Sequence, residues 1–439
     1  MRLLKKHSNA ILQSLTSGVV PRIGLDHIVV GREKEREQIM EELKHVKQGS
    51  AMVKVFIGEF GSGKSFILSM IRNLAFVERF VVADVDLTAE RRLYGSEGKA
   101  LSTYTELMNK LSTKTRPEGN ALPVILEKWI DQIHFQVQEE EGYEDVRFDD
   151  QNFVRDVQRK IGETLYEMEE LVGGFDFAKV IRAYYRGYVE DNQERMSNAL
   201  RWLRGEYSTK SEARKDLGIR DIIDDLNWYE YLKVIAAFIH QVGYAGLVVN
   251  FDEAINLYKN THSVSRDKNY ETILKFFNDA YQGKAEHMYI TFAGTKEFLE
   301  DERRGLFSYS ALKTRLATNR FETTEFRDLS QPVIKLAPLQ KEEIYALLIK
   351  IRSIHGFHHG YEPTVTDDDI RTFMDQQYAR PGAEQHITPR YLIRDFISAL
   401  NILRQNPNMD KQTIFEVVEK NDPKEELNLV LDRFQRTRQ

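Results

Sequence analysis

Apolar positions along this chain follow two rhythms, and the switches between them mark out its elements. Short β-branched apolar runs read as strands, because a strand covered on both faces needs no polar alternation. Five stand out: Met52 to Ile57, Phe80 to Val85, Leu247 to Phe251, Met288 to Ala293 and Val333 to Leu336. Apolar residues three and four apart predict helices from Lys5 to Leu15, from Glu33 through Leu43 and from Lys64 to Phe76, with Val20-Pro21 breaking the first. Beyond Pro338 the strands stop. Three helices are expected there, Glu342 to Ser353, Asp367 to Gln377 and Pro389 to Arg404.

Strands alternating with helices predict an α/β fold with a parallel sheet. The second and third strands lie much further apart than the roughly 30 residues of one βαβ unit, so something is inserted between them. From Thr115 to Lys233 the pattern is helical and carries Trp129, Phe153, Tyr166, Tyr184, Tyr185, Trp202 and Trp228. These are expected to pack as the core of a helical subdomain rather than to form a base-stacking platform. The expected organisation is an entry segment over 1–50, an α/β core over 51–114 and 234–337, a helical insertion over 115–233 and a C-terminal helical lid over 338–439. The charged end from Asp422 to Gln439 is expected to fray.

With 439 residues, 41% hydrophobic and 30% charged, the chain exceeds one ordinary domain and belongs among soluble globular proteins. Its net charge of -6 gives no general affinity for nucleic acid. A local basic groove would be hidden in that sum, so DNA stays an open partner that the sequence does not show. There is no cysteine, which excludes disulfides and thiolate metal sites. No apolar run approaches about 18 residues, and the expectation is a cytoplasmic protein without membrane contact.

The chemistry begins at Gly58-Glu59-Phe60-Gly61-Ser62-Gly63-Lys64-Ser65, a complete G-x-x-x-x-G-K-[ST] P-loop between a predicted strand and a helix entered through Phe66. Glycines let successive N–H groups curl around phosphate oxygens, and the helix N-terminus adds positive potential. Lys64 would neutralise the β/γ-phosphates of ATP and Ser65 would ligate Mg²⁺. A buried strand ending in Asp252-Glu253 supplies the complementary half. Asp252 would hold the metal, largely through water, and Glu253 would orient the attacking water, since phosphoryl transfer rewards positioning. The alternative is that the pair caps the helix that follows.

Thr295, just past the fourth strand, fits either a bond to the γ-phosphate or lytic water, or a helix cap. Arg315 follows about one helix later, where an arginine can reach a neighbouring subunit's ATP, although Arg303, Arg304 and Arg320 compete for that role. Arg390, in Ile387-Thr388-Pro389-Arg390, opens a C-terminal helix and would lay its guanidinium on the γ-phosphate; otherwise Thr388 caps, Pro389 takes the first helical position and Arg390 is exposed. His355, His358 and His359 lack a matching carboxylate or thiolate set and predict a polar turn rather than a metal site. Thr295-Lys296-Glu297 is no N-K-x-D guanine reader.

Taken together, these residues resemble the BREX-system ATP-binding family, the P-loop proteins of bacteriophage-exclusion loci with BrxC- and BrxD-type members; the short chain suits the BrxD type. The resemblance runs through Val29-Val30-Gly31-Arg32-Glu33, Gly58 to Phe66, Thr115-Arg116-Pro117, Phe251-Asp252-Glu253 and Ile387 to Arg390. Its most specific part is Asp86-Leu87-Thr88-Ala89-Glu90-Arg91-Arg92-Leu93-Tyr94-Gly95. It implies an AAA+-like ATPase working with other proteins of a phage-defence machine that also uses DNA methylation of the host. The wider AAA+ class implies base contacts near Val30 and Gly31, sensor roles for Thr295 and Arg390, and an arginine finger at Arg315, hence self-association into an oligomer. The large insertion departs from a minimal AAA+ module, so ring geometry does not transfer directly. The expected function is an ATP-hydrolysing motor or switch; the alternatives are a nucleotide-gated scaffold and a DNA-loader or transposition-type ATPase.

Overall fold

The computed structural model describes residues 2–143, 150–317, 327–379, 388–409, 411 and 414, with Glu167 described by its backbone alone. Arg320, Ile387 and the end from Asp422 lie outside the described residues. The chain forms two compact units, one of Lys34–Gly58 and Ile71–Leu336, the other of Met1–Glu33, Glu59–Met70 and Ala337–Gln439.

The larger unit is built on five strands, β1 (Ala51–Ile57), β2 (Val81–Asp86), β3 (Leu247–Asp252), β4 (Met288–Gly294) and β5 (Val333–Lys335), all parallel in the order β2-β3-β4-β1-β5. The central β4 is buried along its whole length, as expected for a strand flanked by neighbours and covered on both faces. One polar pair is sealed where Lys54 of β1 meets Glu42 of α2 (Glu33–Lys47): each is 2% exposed, and they stand 2.6 Å apart. Glu42 also accepts the Tyr289 hydroxyl at 2.6 Å, while Lys54 donates to the carbonyls of Leu329, Ser330 and Gln331.

Between β2 and β3 run α4 (Lys99–Lys110), α5 (Leu122–Glu141), α6 (Gln151–Glu169), α7 (Gly174–Val189), α8 (Gln193–Leu203), α9 (Lys210–Leu217) and α10 (Trp228–Gln241). Their apolar faces share one continuous core with the sheet, from Val81 and Val249 through Trp129, Phe153, Tyr184, Tyr185, Trp202 and Trp228. Tyr166 departs from the expected packing. At 65% exposed it lies on the polar side of α6 rather than on the Phe153, Val157, Ile161, Leu165 stripe. After β3 come α11 (Ile255–Tyr258) and α12 (Ser263–Tyr281), and after β4 α13 (Lys296–Glu300) and α14 (Ser310–Leu316).

In the smaller unit α1 (Lys5–Thr16), α15 (Lys341–His359) and α17 (Pro389–Gln405) pack on one another, and α16 (Asp367–Ala379) packs on α15. Helix α15 starts at a capping box between Gln340 and Glu343 and runs past the expected Ser353 end, so the histidines sit on a helix and not in a polar turn. The reason is tertiary. His355 is bonded through Nδ1 to the Tyr361 hydroxyl at 2.9 Å and through Nε2 to Asn401 at 3.0 Å, and Gly356 leaves room for Pro363. Among the described residues no helix is long and apolar enough to cross a membrane.

Candidate functional site

In the smaller unit the P-loop is held from two sides. Gly61 and Gly63 take φ of +83° and +92°, the left-handed region that lets the loop curl ahead of α3 (Lys64–Val77). Lys64 and Ser65 are the first two residues of that 14-residue helix, so both lie at its positive end. The Lys64 ammonium donates to the Glu59 carbonyl at 2.9 Å and lies 5.4 Å from the Phe60 ring centroid, while Phe60 itself is exposed. The Ser62 hydroxyl is buried without a hydrogen-bond partner among the described residues.

The entry segment braces this loop. Arg32, 5% exposed, donates to the Ser62 carbonyl at 2.9 Å and to the Ala337 carbonyl at 2.7 Å. The preceding Val30 is buried. Gly31 has φ +65°, and a Cβ there would run into the Glu343 carboxylate of the α15 capping box. On the other side, a Cβ on Gly61 would stand 3.0 Å from the Thr388 Cβ, so the start of α17 abuts the P-loop. Thr388 accepts from the Tyr391 amide at 3.5 Å and Pro389 takes the first helical position. Arg390 is exposed, with its stem about 3.2 Å from where a Cβ on Gly18 would sit.

In the larger unit the carboxyl ends of the strands carry the remaining candidates. Gly58 directly follows β1, and its amide donates to the Gly294 carbonyl at 3.2 Å. Phe56 is level with Ala293 and Phe251 with Phe292, so Asp252 comes level with Phe56 across β4. Asp252 Oδ1 accepts the Glu253 amide at 2.8 Å, and the N-cap of α11 falls to Ala254, which makes no side-chain capping bond. The exposed Glu253 has φ +54°, which a residue with a Cβ adopts only when its surroundings hold it there. Thr295 occupies the N-cap of α13 without a side-chain capping bond; its hydroxyl is buried and has no partner among the described residues.

Arg315 is exposed near the end of α14, where its guanidinium donates to Asn278 Oδ1 at 2.9 Å and to the Ala311 carbonyl at 3.0 Å. Of its competitors, Arg304 is tied to the Tyr258 carbonyl at 3.2 Å and Arg303 is exposed. The turn that carries them is fixed by Asp301, whose carboxyl is held below its ordinary range first by the Arg303 amide and then by the Tyr258 hydroxyl.

Within the smaller unit, left-handed glycines, a helix N-terminus and an ammonium suit a polyphosphate; within the larger, a carboxylate at a strand end is of the type that ligates a divalent cation. A family model, that of the BREX system ATP-binding protein BrxC/D, matches residues 3–419. The chain belongs to this family. No curated protein matches it. The match takes in residues of both units, from the entry segment through α17.

Within the smaller unit the structure gathers Val30, Gly31, the loop from Glu59 to Ser65 and the start of α17. Within the larger it gathers Gly58, Asp252, Glu253 and Thr295 at the carboxyl ends of three adjacent strands. Two further residues escape a reading of the sequence. Arg32 stands in the quoted Val29 to Glu33 motif, but its bond to the P-loop joins positions 30 residues apart. Asn256, three residues beyond Glu253, bonds back to the loop after β2, and no local spacing announces that contact.

Proposed function

We propose that the chain is an AAA+-type ATPase that binds ATP with Mg²⁺ and hydrolyses it to drive or switch a BREX defence complex. The observation that carries this reading is the strand order. β4 lies between β1, which feeds the P-loop, and β3, which ends in Asp252-Glu253, so three adjacent strand ends bear a P-loop entrance, a buried partnerless hydroxyl and an acidic pair. That is the set phosphoryl transfer requires.

In this reading the P-loop amides and Lys64 bind the phosphates, with Lys64 exchanging its bond to the Glu59 carbonyl for phosphate oxygens. Ser65 and Asp252 hold Mg²⁺, which offsets phosphate charge when bound. Glu253 orients the attacking water. Thr295 offers its hydroxyl to that water or to the γ-phosphate, which gives an otherwise orphaned group a partner. Arg390 couples the α17 end of the smaller unit to nucleotide state. Arg315, exposed and braced by Asn278, serves a neighbouring copy, so the working form is an oligomer acting with other defence proteins and with DNA.

The test is phosphate release by purified variants. Glu253→Gln is expected to keep ATP affinity and lose turnover, and Lys64→Ala to lose both. Equal phosphate release by Glu253→Gln and wild type would refute the role given to Glu253. A second reading, a nucleotide-gated scaffold, draws on the core that α5 to α10 share with the sheet, since such a body presents a fixed partner surface. Tight ATP binding with negligible turnover in every mixture of DNA and partners favours the scaffold. Turnover stimulated well above background favours the motor.

A further inference from the structure

The segment from Asp86 to Gly95 is the most distinctive stretch of the sequence, and the roles above leave it unused. Its amide at Leu87 donates to the Asp252 carbonyl at 3.0 Å, directly before Glu253. Further along, the amides of Leu93 and Tyr94 donate to Asn269 Oδ1 at 2.9 and 3.0 Å, and Asn269, fully buried on α12, returns a bond to the Tyr94 carbonyl at 3.1 Å. Trp228 Nε1 donates to the Leu93 carbonyl at 3.1 Å. The loop is therefore fixed at its far end, while its near end meets the acidic pair.

Asn256 closes the circuit. Its side-chain amide donates to the Leu87 carbonyl at 2.8 Å, and its backbone amide donates to the Glu253 carbonyl at 2.9 Å. With Leu87 bonded to Asp252, these three hydrogen bonds form a ring around the Asp252–Glu253 peptide. The Ala254 amide, bonded to the Ala293 carbonyl at 3.0 Å, anchors the same turn to β4. A left-handed glutamate costs on the order of 1–3 kcal/mol and persists only where surrounding bonds over-determine it. The one contributor to that ring from a side chain is Asn256.

We propose that Asn256 is a positioning residue for Glu253. By tying the Asp86–Gly95 loop to the turn after β3, it holds the Glu253 backbone in its left-handed conformation and so fixes where the carboxylate presents itself to water. The inference rests on the ATPase reading, so its test carries one readout that needs no hydrolysis.

Asn256→Ala and the isosteric Asn256→Asp both remove the N–H donated to Leu87. Steady-state kinetics with Mg-ATP should show kcat about tenfold lower, the kinetic equivalent of one neutral hydrogen bond, with KM changed by less than about twofold. In the nucleotide-free protein, hydrogen exchange at the Leu87 amide should accelerate by about tenfold or more, while the fluorescence melting transition stays within about 2 °C of wild type. A wild type that hydrolyses nothing overturns the ATPase reading and this inference with it. An active wild type matched in kcat by both variants, or a Leu87 amide that exchanges at the wild-type rate in both, overturns the positioning role alone.

Discussion

Replacing Glu253 by glycine should make the folded protein slightly more stable while abolishing its turnover. The side chain is exposed, so its removal forfeits little burial. The backbone at φ +54° disfavours any residue with a Cβ by about 1–2 kcal/mol, and glycine is free of that strain. Against this, glycine gives the unfolded chain extra freedom worth roughly 0.5–1 kcal/mol. The net gain is about 0.5–1 kcal/mol, or about 1–4 °C in melting temperature for a unit of this size. Asparagine, which tolerates the left-handed region, should gain a comparable amount, whereas alanine keeps the strain and should melt with wild type. Tryptophan fluorescence suits the measurement, because Trp129, Trp202 and Trp228 are buried in the same unit as Glu253. The expected order of stability is Gly and Asn above Ala and Glu, with all three variants unable to release phosphate. Equal melting of the glycine and alanine variants refutes the strain argument; turnover in the alanine variant refutes the water-orienting role.

Three further outcomes follow from other parts of the molecule. Gly31→Ala places a methyl against the Glu343 carboxylate at a left-handed position and should destabilise the smaller unit by about 2 kcal/mol, seen as faster hydrogen exchange along α15 with no shift in the tryptophan transition. A shift of both, or of neither, contradicts the assignment. Lys54→Met leaves Glu42 buried with the Tyr289 hydroxyl but without its cation and should cost about 3–5 kcal/mol in urea denaturation; adding Glu42→Leu should recover part of that loss, and a double variant as unstable as the sum of the singles counts against it. Burial holds the His355 and His359 pKa values below the ordinary 6.5, with nearby histidines and Arg404 adding to it, and His359 is lowered to about 4. The unfolded chain therefore binds more protons across that window. This contribution to stability is complete above about pH 6.5 and is lost as pH falls towards 4. His359→Asn should flatten the pH dependence of melting between those limits, and an unchanged profile would show that protonation there is not linked to folding.

The strands were legible because each is a compact apolar, β-branched run whose pattern needs no distant partner. The P-loop was legible for the same reason, since its chemistry resides in eight consecutive residues. The end of α15 was not. His355-Gly356-Phe357-His358-His359 reads as a turn until Tyr361, Asn401 and Pro363 supply the partners that keep it helical. At the acidic strand end the residue types were readable, but the left-handed backbone of Glu253 was not, because it is imposed by Leu87 and Asn256 through bonds that cross from β2 to α11. Arg32 was quoted as part of a motif, yet its hold on the Ser62 carbonyl appears only when the entry segment is folded onto the P-loop. Local pattern revealed which groups are present; long-range hydrogen bonds set how they are held.

Titration calorimetry of Mg-ATP into the wild-type chain and into Lys64→Ala tests the central claim most directly. The account predicts saturable heat from wild type, near one nucleotide per chain, and none from the variant, whose P-loop has lost its ammonium. Absence of heat from wild type, or the same isotherm from both proteins, would contradict it.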